Sequence, residues 1–253
     1  MQIRIKAADR SVIRVYAVLI IVSITLCACA GGNPYPPLVI GSIFSAMEPK
    51  QFPVEDLEPT ASLGVVSLLS DELHLRYDGL TVFQNRNHKD KVPQWNIDER
   101  LSRAVAMVLA RRGTHRVGVM ANNGMIDPVT GRVSTYTLLE RAEKHQFDIV
   151  VIIRPFVPHK SHYWDSGYGL WGSSKWRSAQ SHCAYSWVIV DVWDIDTKDK
   201  IGYQHSRTCD RDETIEVKDQ LADYSPTEQA RIERLVRNSL FQSVVSALRN
   251  LGL

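Results

Sequence analysis

Between Phe147 and Val157 the chain reads FDIVVIIRPFV, an unbroken run of β-branched residues from Ile149 to Ile153. Neighbouring side chains on a strand point to opposite faces, so a run with no polar alternation must be buried on both sides. Such a strand needs a packing layer above it and another below. That requirement removes one-sided sheets and all-helical bundles, and leaves a central strand of a layered α/β protein.

The surrounding pattern supplies the layers. LGVVSLL (Leu63 to Leu69) is a second apolar strand candidate, and HRVGVM (His115 to Met120) a third. NIDERLSRAVAMVLARRG lies between them and reads as a helix. Asn96 and Glu99 are placed to cap it, Ile97, Leu101, Val105, Val108 and Leu109 form its stripe, and Gly113 ends it. STYTLLERAEKHQ predicts a short helix before the Phe147 run. Ser225-Pro226-Thr227-Glu228 opens a last helix with a serine cap, proline at the first position and glutamate at the third. Two hairpins are expected. One pairs ELHLRY with LTVF across Asp78-Gly79, and NRNHKDK (Asn85 to Lys91) follows as a solvated basic turn. The other pairs Ala184–Ile195 with Lys200–Cys209 around DTKD. Helical crossovers make the early strands parallel and the late hairpin makes the sheet mixed. The expected fold is α/β: a mixed β-sheet with helices packed on it, in one compact domain over 61–253.

The first 60 residues have another character. Arg4, Lys6, Arg10 and Arg14 face a single acid, Asp9, and are followed by the uncharged run Ala17 to Leu26. Ten apolar residues are too few for a membrane span of about 20 but suit the core of an export signal. Leu26-Cys27-Ala28-Cys29 follows, and it resembles the lipobox of bacterial lipoproteins. The resemblance implies cleavage before Cys29 and a covalent lipid on that residue as the only attached group, with no other cofactor. Ala30, where that family places an aspartate for inner-membrane retention, implies the outer membrane. Cys27 is the competing site, and a plain secreted protein cut nearby is the alternative. Residues 1–28 are then the signal, and 29–60, with six of the chain's eleven prolines, a lipidated cysteine and tether. The signal's surplus of three positive charges exceeds the chain's formal +2 and leaves the mature protein near −1, which removes nucleic acid as an expected partner.

The order of elements from Leu63 to Leu251 is similar to that of small α/β domains in Gram-negative envelope-assembly lipoproteins, of the curli-secretion and penicillin-binding-protein-activator kind. That resemblance implies a periplasmic domain bound to an envelope protein or to copies of itself.

Signs of catalysis are sparse. The chain has no G-x-S-x-G, S-x-x-K, P-loop or G-x-G-x-x-G signature. His159 and His162, in PHKSHYWD, are a weak candidate metal pair. DVWDIDTKDK lacks the glycine and closing glutamate of an EF-hand loop and reads as a solvated hairpin end. A metal-dependent or metal-free envelope hydrolase acting on glycan or peptide therefore stands as the alternative to a non-enzymatic binding protein. Cys183 and Cys209 are left to form one disulfide or to remain two thiols. Counting outward from a turn centred near Lys198 places Cys209 opposite Trp187, which leaves the pairing open.

The segment from Pro158 to Ser181 has no clear periodicity and includes YWDSGYGLWGSSKW. It is expected to be a long aromatic loop, either folded back as a lid or turned outward as a contact surface. Trp164, Tyr168, Trp171 and Trp176 are its candidate partner-binding residues.

Overall fold

The computed structural model describes residues 60–113, 116–123, 125, 134–157, 166–175, 178–212 and 214–253. Cys29 and the expected signal and tether lie outside the described residues, as do His159, His162, Trp164 and Trp176. Among the described residues, eight strands and three α-helices run in the order β1 (Ser62–Ser67), β2 (Glu72–Asp78), β3 (Arg86–Lys91), α1 (Ile97–Arg112), β4 (Arg116–Val119), α2 (Thr135–Lys144), β5 (Ile149–Pro155), β6 (Gly167–Lys175), β7 (Ser178–Asp194), β8 (Lys200–Arg211) and α3 (Pro226–Asn250). Among the described residues, no helix is long and apolar enough to cross a membrane.

All eight strands form one mixed sheet, and β7 organises it. Residues 188–194 of β7 pair antiparallel with β5, and residues 178–187 pair antiparallel with β6 on the same edge. β5 and β6 thus follow each other along β7. β1 and β2 repeat the arrangement one strand further out, parallel to β5 and β6 respectively. One half of the sheet is β4-β1-β5 and the other β3-β2-β6, while β8 pairs with the opposite edge of β7 across both halves.

The apolar run divides between the two faces as its lack of alternation requires. Ile149, Val151 and Ile153 join the main core with Leu101, Val105 and Leu109 of α1 and Ile232, Val236, Leu240 and Val244 of α3. Val150 and Ile152 pack on the other face with Leu138, Leu139 and Ala142 of α2. Each such side chain, fully buried, contributes on the order of 1.5–3 kcal/mol, so this strand anchors both layers. α3 begins with the expected capping box: Ser225 Oγ accepts from Glu228 N–H and the Glu228 carboxylate accepts from Ser225 N–H at 2.7 Å. At α1 the cap differs. Asn96 is left-handed (φ 49°) and its side chain bonds the Glu99 carboxylate rather than the helix backbone.

The first hairpin also departs from expectation. β2 pairs with the charged segment Arg86–Lys91, not with LTVF. An edge strand needs only its backbone ladder, and charged side chains are common there because they discourage stray pairing. Leu80 to Gln84 instead form the hairpin tip, with a single 3-10 turn at Val82–Gln84. Asp191, expected at a solvated hairpin end, is 3% exposed and held by Arg154 Nε at 2.5 Å and Lys200 Nζ at 3.2 Å.

Candidate functional site

The expected aromatic loop is in part a strand. Tyr168 and Trp171 lie in β6, between β2 and β7, and are 1% and 5% exposed. Tyr168 packs in the main core and donates its hydroxyl to the Ser70 carbonyl at 2.9 Å; burial pushes its phenol well above the ordinary range. Trp171 points to the other face, beside Cys183 and Tyr185, and donates Nε1–H to Asp78 Oδ2 at 2.8 Å. Their assignment as outward contact residues is therefore corrected. The physical reason is the glycine spacing: a Cβ at Gly169 would fall 2.0 Å from the His74 carbonyl oxygen, so only glycine lets β2 approach β6 so closely. The same glycines that suggest a loose loop allow a tight strand pair.

Cys183 and Cys209 form a disulfide with Cα atoms 5.5 Å apart. The register sets Cys209 opposite Tyr185, not Trp187, which brings it diagonal to Cys183 on one face. The bridge pins the far end of β8 to β7. β8 is twelve residues long, and among the described residues no strand pairs with its outer edge. A row of backbone donors and acceptors on such an edge is a template for another strand.

A second feature lies at the carboxyl ends of β1 and β4. The chain passes through α1 on one face to reach β4 on one side of β1, then through α2 on the other face to reach β5 on the opposite side. Strand order reverses at β1, and ligand crevices in α/β sheets form at such reversals. A cleft of about 500 Å³ opens there, lined by residues including Ser67, Asp71, Asn96, Asp98, Arg103 and Asn122. Asp98, in the first turn of α1, ties three segments together. Its Oδ1 accepts from Ser67 Oγ at 2.6 Å and Leu69 N–H at 2.8 Å, and its Oδ2 accepts from Asn122 Nδ2 at 2.7 Å. Burial, aided by the Asp71 charge and opposed by these hydrogen bonds, raises its carboxyl to about 7. The cleft sets the carboxylates of Asp71 and Asp98 beside Arg103, and Asp98 can hold or release a proton near neutrality. Sequence reasoning placed Asp98 only inside a helix start, because its partners are 24 to 31 residues away.

No family model matches the chain, and no curated protein does. Among solved structures it is loosely similar to a Xanthomonas campestris protein of the DUF330 family, at 9% identity over 76% of this chain and 86% of that one, with a TM-score of 0.38. It is similar to the PelC dodecamer from Paraburkholderia phytofirmans at 9% identity over 73% and 88%, TM-score 0.31. Lipoprotein GNA1162 from Neisseria meningitidis gives 13% identity over 75% and 99%, TM-score 0.31. At these scores the likeness transfers neither a site nor an activity.

Proposed function

We propose that this chain is an exported lipoprotein, acylated at Cys29 and held at the outer membrane. Its domain then works in the periplasm by binding an envelope partner or further copies of itself, without catalysis. The observation that carries the binding role is the long outer edge of β8, stapled in place by Cys183–Cys209. The disulfide suits an oxidising compartment, and Leu26 to Cys29 with the preceding basic and apolar stretch suits lipidation.

Two substitutions test the edge in intact cells, read by crosslinking and by mass in solution. Successive residues of an antiparallel strand turn their N–H groups to opposite sides, so one of Ser206→Pro and Arg207→Pro spares the ladder to β7. That variant is expected to fold and to lose its crosslinked complexes. Complexes that persist in a folded edge variant would move the contact off β8, and a parent protein that forms no complex would sink the binding role. Lipidation is checked in the same cells: Cys29→Ala is expected to abolish palmitate labelling, and labelling that survives would place the lipid on Cys27 or refute it.

One observation favours a second reading, a hydrolase acting on envelope glycan or peptide. Burial raises the Asp98 carboxyl to about 7, the range in which a general acid works, beside an open cleft.

A further inference from the structure

The tip of the β2–β3 hairpin belongs neither to the core nor to the β8 edge. Leu80, Val82 and Phe83 are 55%, 76% and 96% exposed, three apolar side chains within four residues. Scattered single apolar residues are ordinary on a surface, but a contiguous apolar tip marks a contact. From Gly79 to Asn85 the chain carries no charge. Behind the tip the composition changes. Gln84 and Asn85 form an amide collar, and β3 follows with Arg86, Lys89 and Lys91 against Asp90. Lys89 pairs with Glu72 in an exposed pair of the weak kind, and Arg86, at the tip end of β3, pairs with Asp219 and donates to the Val217 carbonyl at 3.1 Å.

The tip also supplies hydrogen bonds to its own backbone. Gly79 N–H donates to Asn85 Oδ1 at 2.9 Å, and the N–H groups of Leu80 and Thr81 donate to Gln84 Oε1 at 3.0 and 3.4 Å. Gln84 N–H donates to the Thr81 carbonyl at 3.0 Å and Asn85 N–H to that of Val82 at 3.3 Å. A protein pocket can offer partners to an inserted loop, whereas lipid cannot, so a lipid-entering segment must bring its own.

We propose that this tip is a lipid-contacting element that lays the domain against a bilayer. Leu80, Val82 and Phe83 enter the interface, the amides of Gln84 and Asn85 sit at its border, and Arg86, the basic residue of β3 next to the tip, faces anionic headgroups. The inference rests on the proposed lipid anchor only for bringing the domain to the membrane. A tethered tip meets the bilayer at high effective concentration, so three side chains suffice.

The test uses the full protein as isolated from membranes, reconstituted into vesicles of phosphatidylethanolamine and phosphatidylglycerol. A nitroxide is attached at Phe83→Cys, and a control label at Tyr136→Cys on α2, a residue 68% exposed. Cys183 and Cys209 are consumed by their disulfide. Mass spectrometry of the same sample reports acylation of Cys29 separately, so failure of the anchor and failure of the tip are distinguishable. The label at 83 is expected to gain oxygen accessibility and lose nickel-chelate accessibility on vesicles, while the label at 136 stays aqueous. Adding Val82→Asp is expected to return the label at 83 to water without changing thermal unfolding. A label at 83 as aqueous as that at 136 would overturn the proposal, and so would insertion that Val82→Asp leaves unchanged.

Discussion

Replacing both Cys183 and Cys209 by alanine is expected to lower the stability of the domain by about 3.5 kcal/mol, the loop-closure value for a bridge spanning 26 residues. Much of that loss should appear locally. β8 has β7 as its only strand neighbour among the described residues, and α3 supports it on one face through Thr208 Oγ1, 2.7 Å from Ser243 Oγ. The bridge sits at the end of the β7–β8 pair farthest from its turn, where closing the hairpin gives the least help. Denaturant titration of the double variant should show a lower midpoint, and amide exchange should accelerate first from His205 to Arg211. Parent protein in strong reductant should behave like the variant. Equal midpoints with and without the bridge would mean that the ladder and α3 hold β8 unaided. A frayed β8 would also weaken any complex formed along its outer edge, so the same variants bear on the binding role.

What the sequence revealed was what is encoded within a few residues. The run from Ile149 to Ile153 predicts a strand covered on both faces, and α1, α2 and α3 supply those covers. The capping box at Ser225 and Glu228 is a four-residue signal and appears as written. Contacts between distant segments were not legible. Gly169 and Trp171 read as loop material because composition does not record that a missing Cβ admits the His74 carbonyl. β3 has no apolar pattern, since an edge strand need bury none. LTVF has the apolar pattern but stands at an exposed hairpin tip, outside the core. The register of β7 on β8 differs by two residues from the count made outward from Lys198, enough to turn an open question about two cysteines into a bond. Asp98 was hidden for the same reason: a buried carboxyl is defined by what surrounds it, and here that is Ser67, Leu69 and Asn122.

Asp98 should therefore dominate the way stability changes with pH. Its folded carboxyl lies near 7, against 3.8 for the ordinary group, so the folded protein holds a proton that the unfolded chain has released. Stability from this group is fully present below pH 3.8 and falls as pH rises through about 7, by on the order of 4 kcal/mol at 1.36 kcal/mol per unit. Other carboxylates titrate in the same range, so the informative quantity is the difference between parent and variant. Asp98→Asn keeps an oxygen for Ser67 Oγ–H and Leu69 N–H, and Asn122 can turn its amide to meet the new NH₂. Urea unfolding across this range should find the Asn variant gaining on the parent steadily from pH 4 to 7 and holding its lead above. Asp98→Ala should instead lose about 2–3 kcal/mol at acidic pH, because Ser67, Leu69 and Asn122 are left as donors without an acceptor. A parent-minus-Asn difference that does not change with pH would mean that Asp98 titrates as an exposed acid, and would remove the proton from the cleft. The same pair of variants separates the two functional readings. A hydrolase using Asp98 as its acid loses turnover in Asp98→Asn with the fold intact, whereas a protein that binds through β8 keeps its complexes.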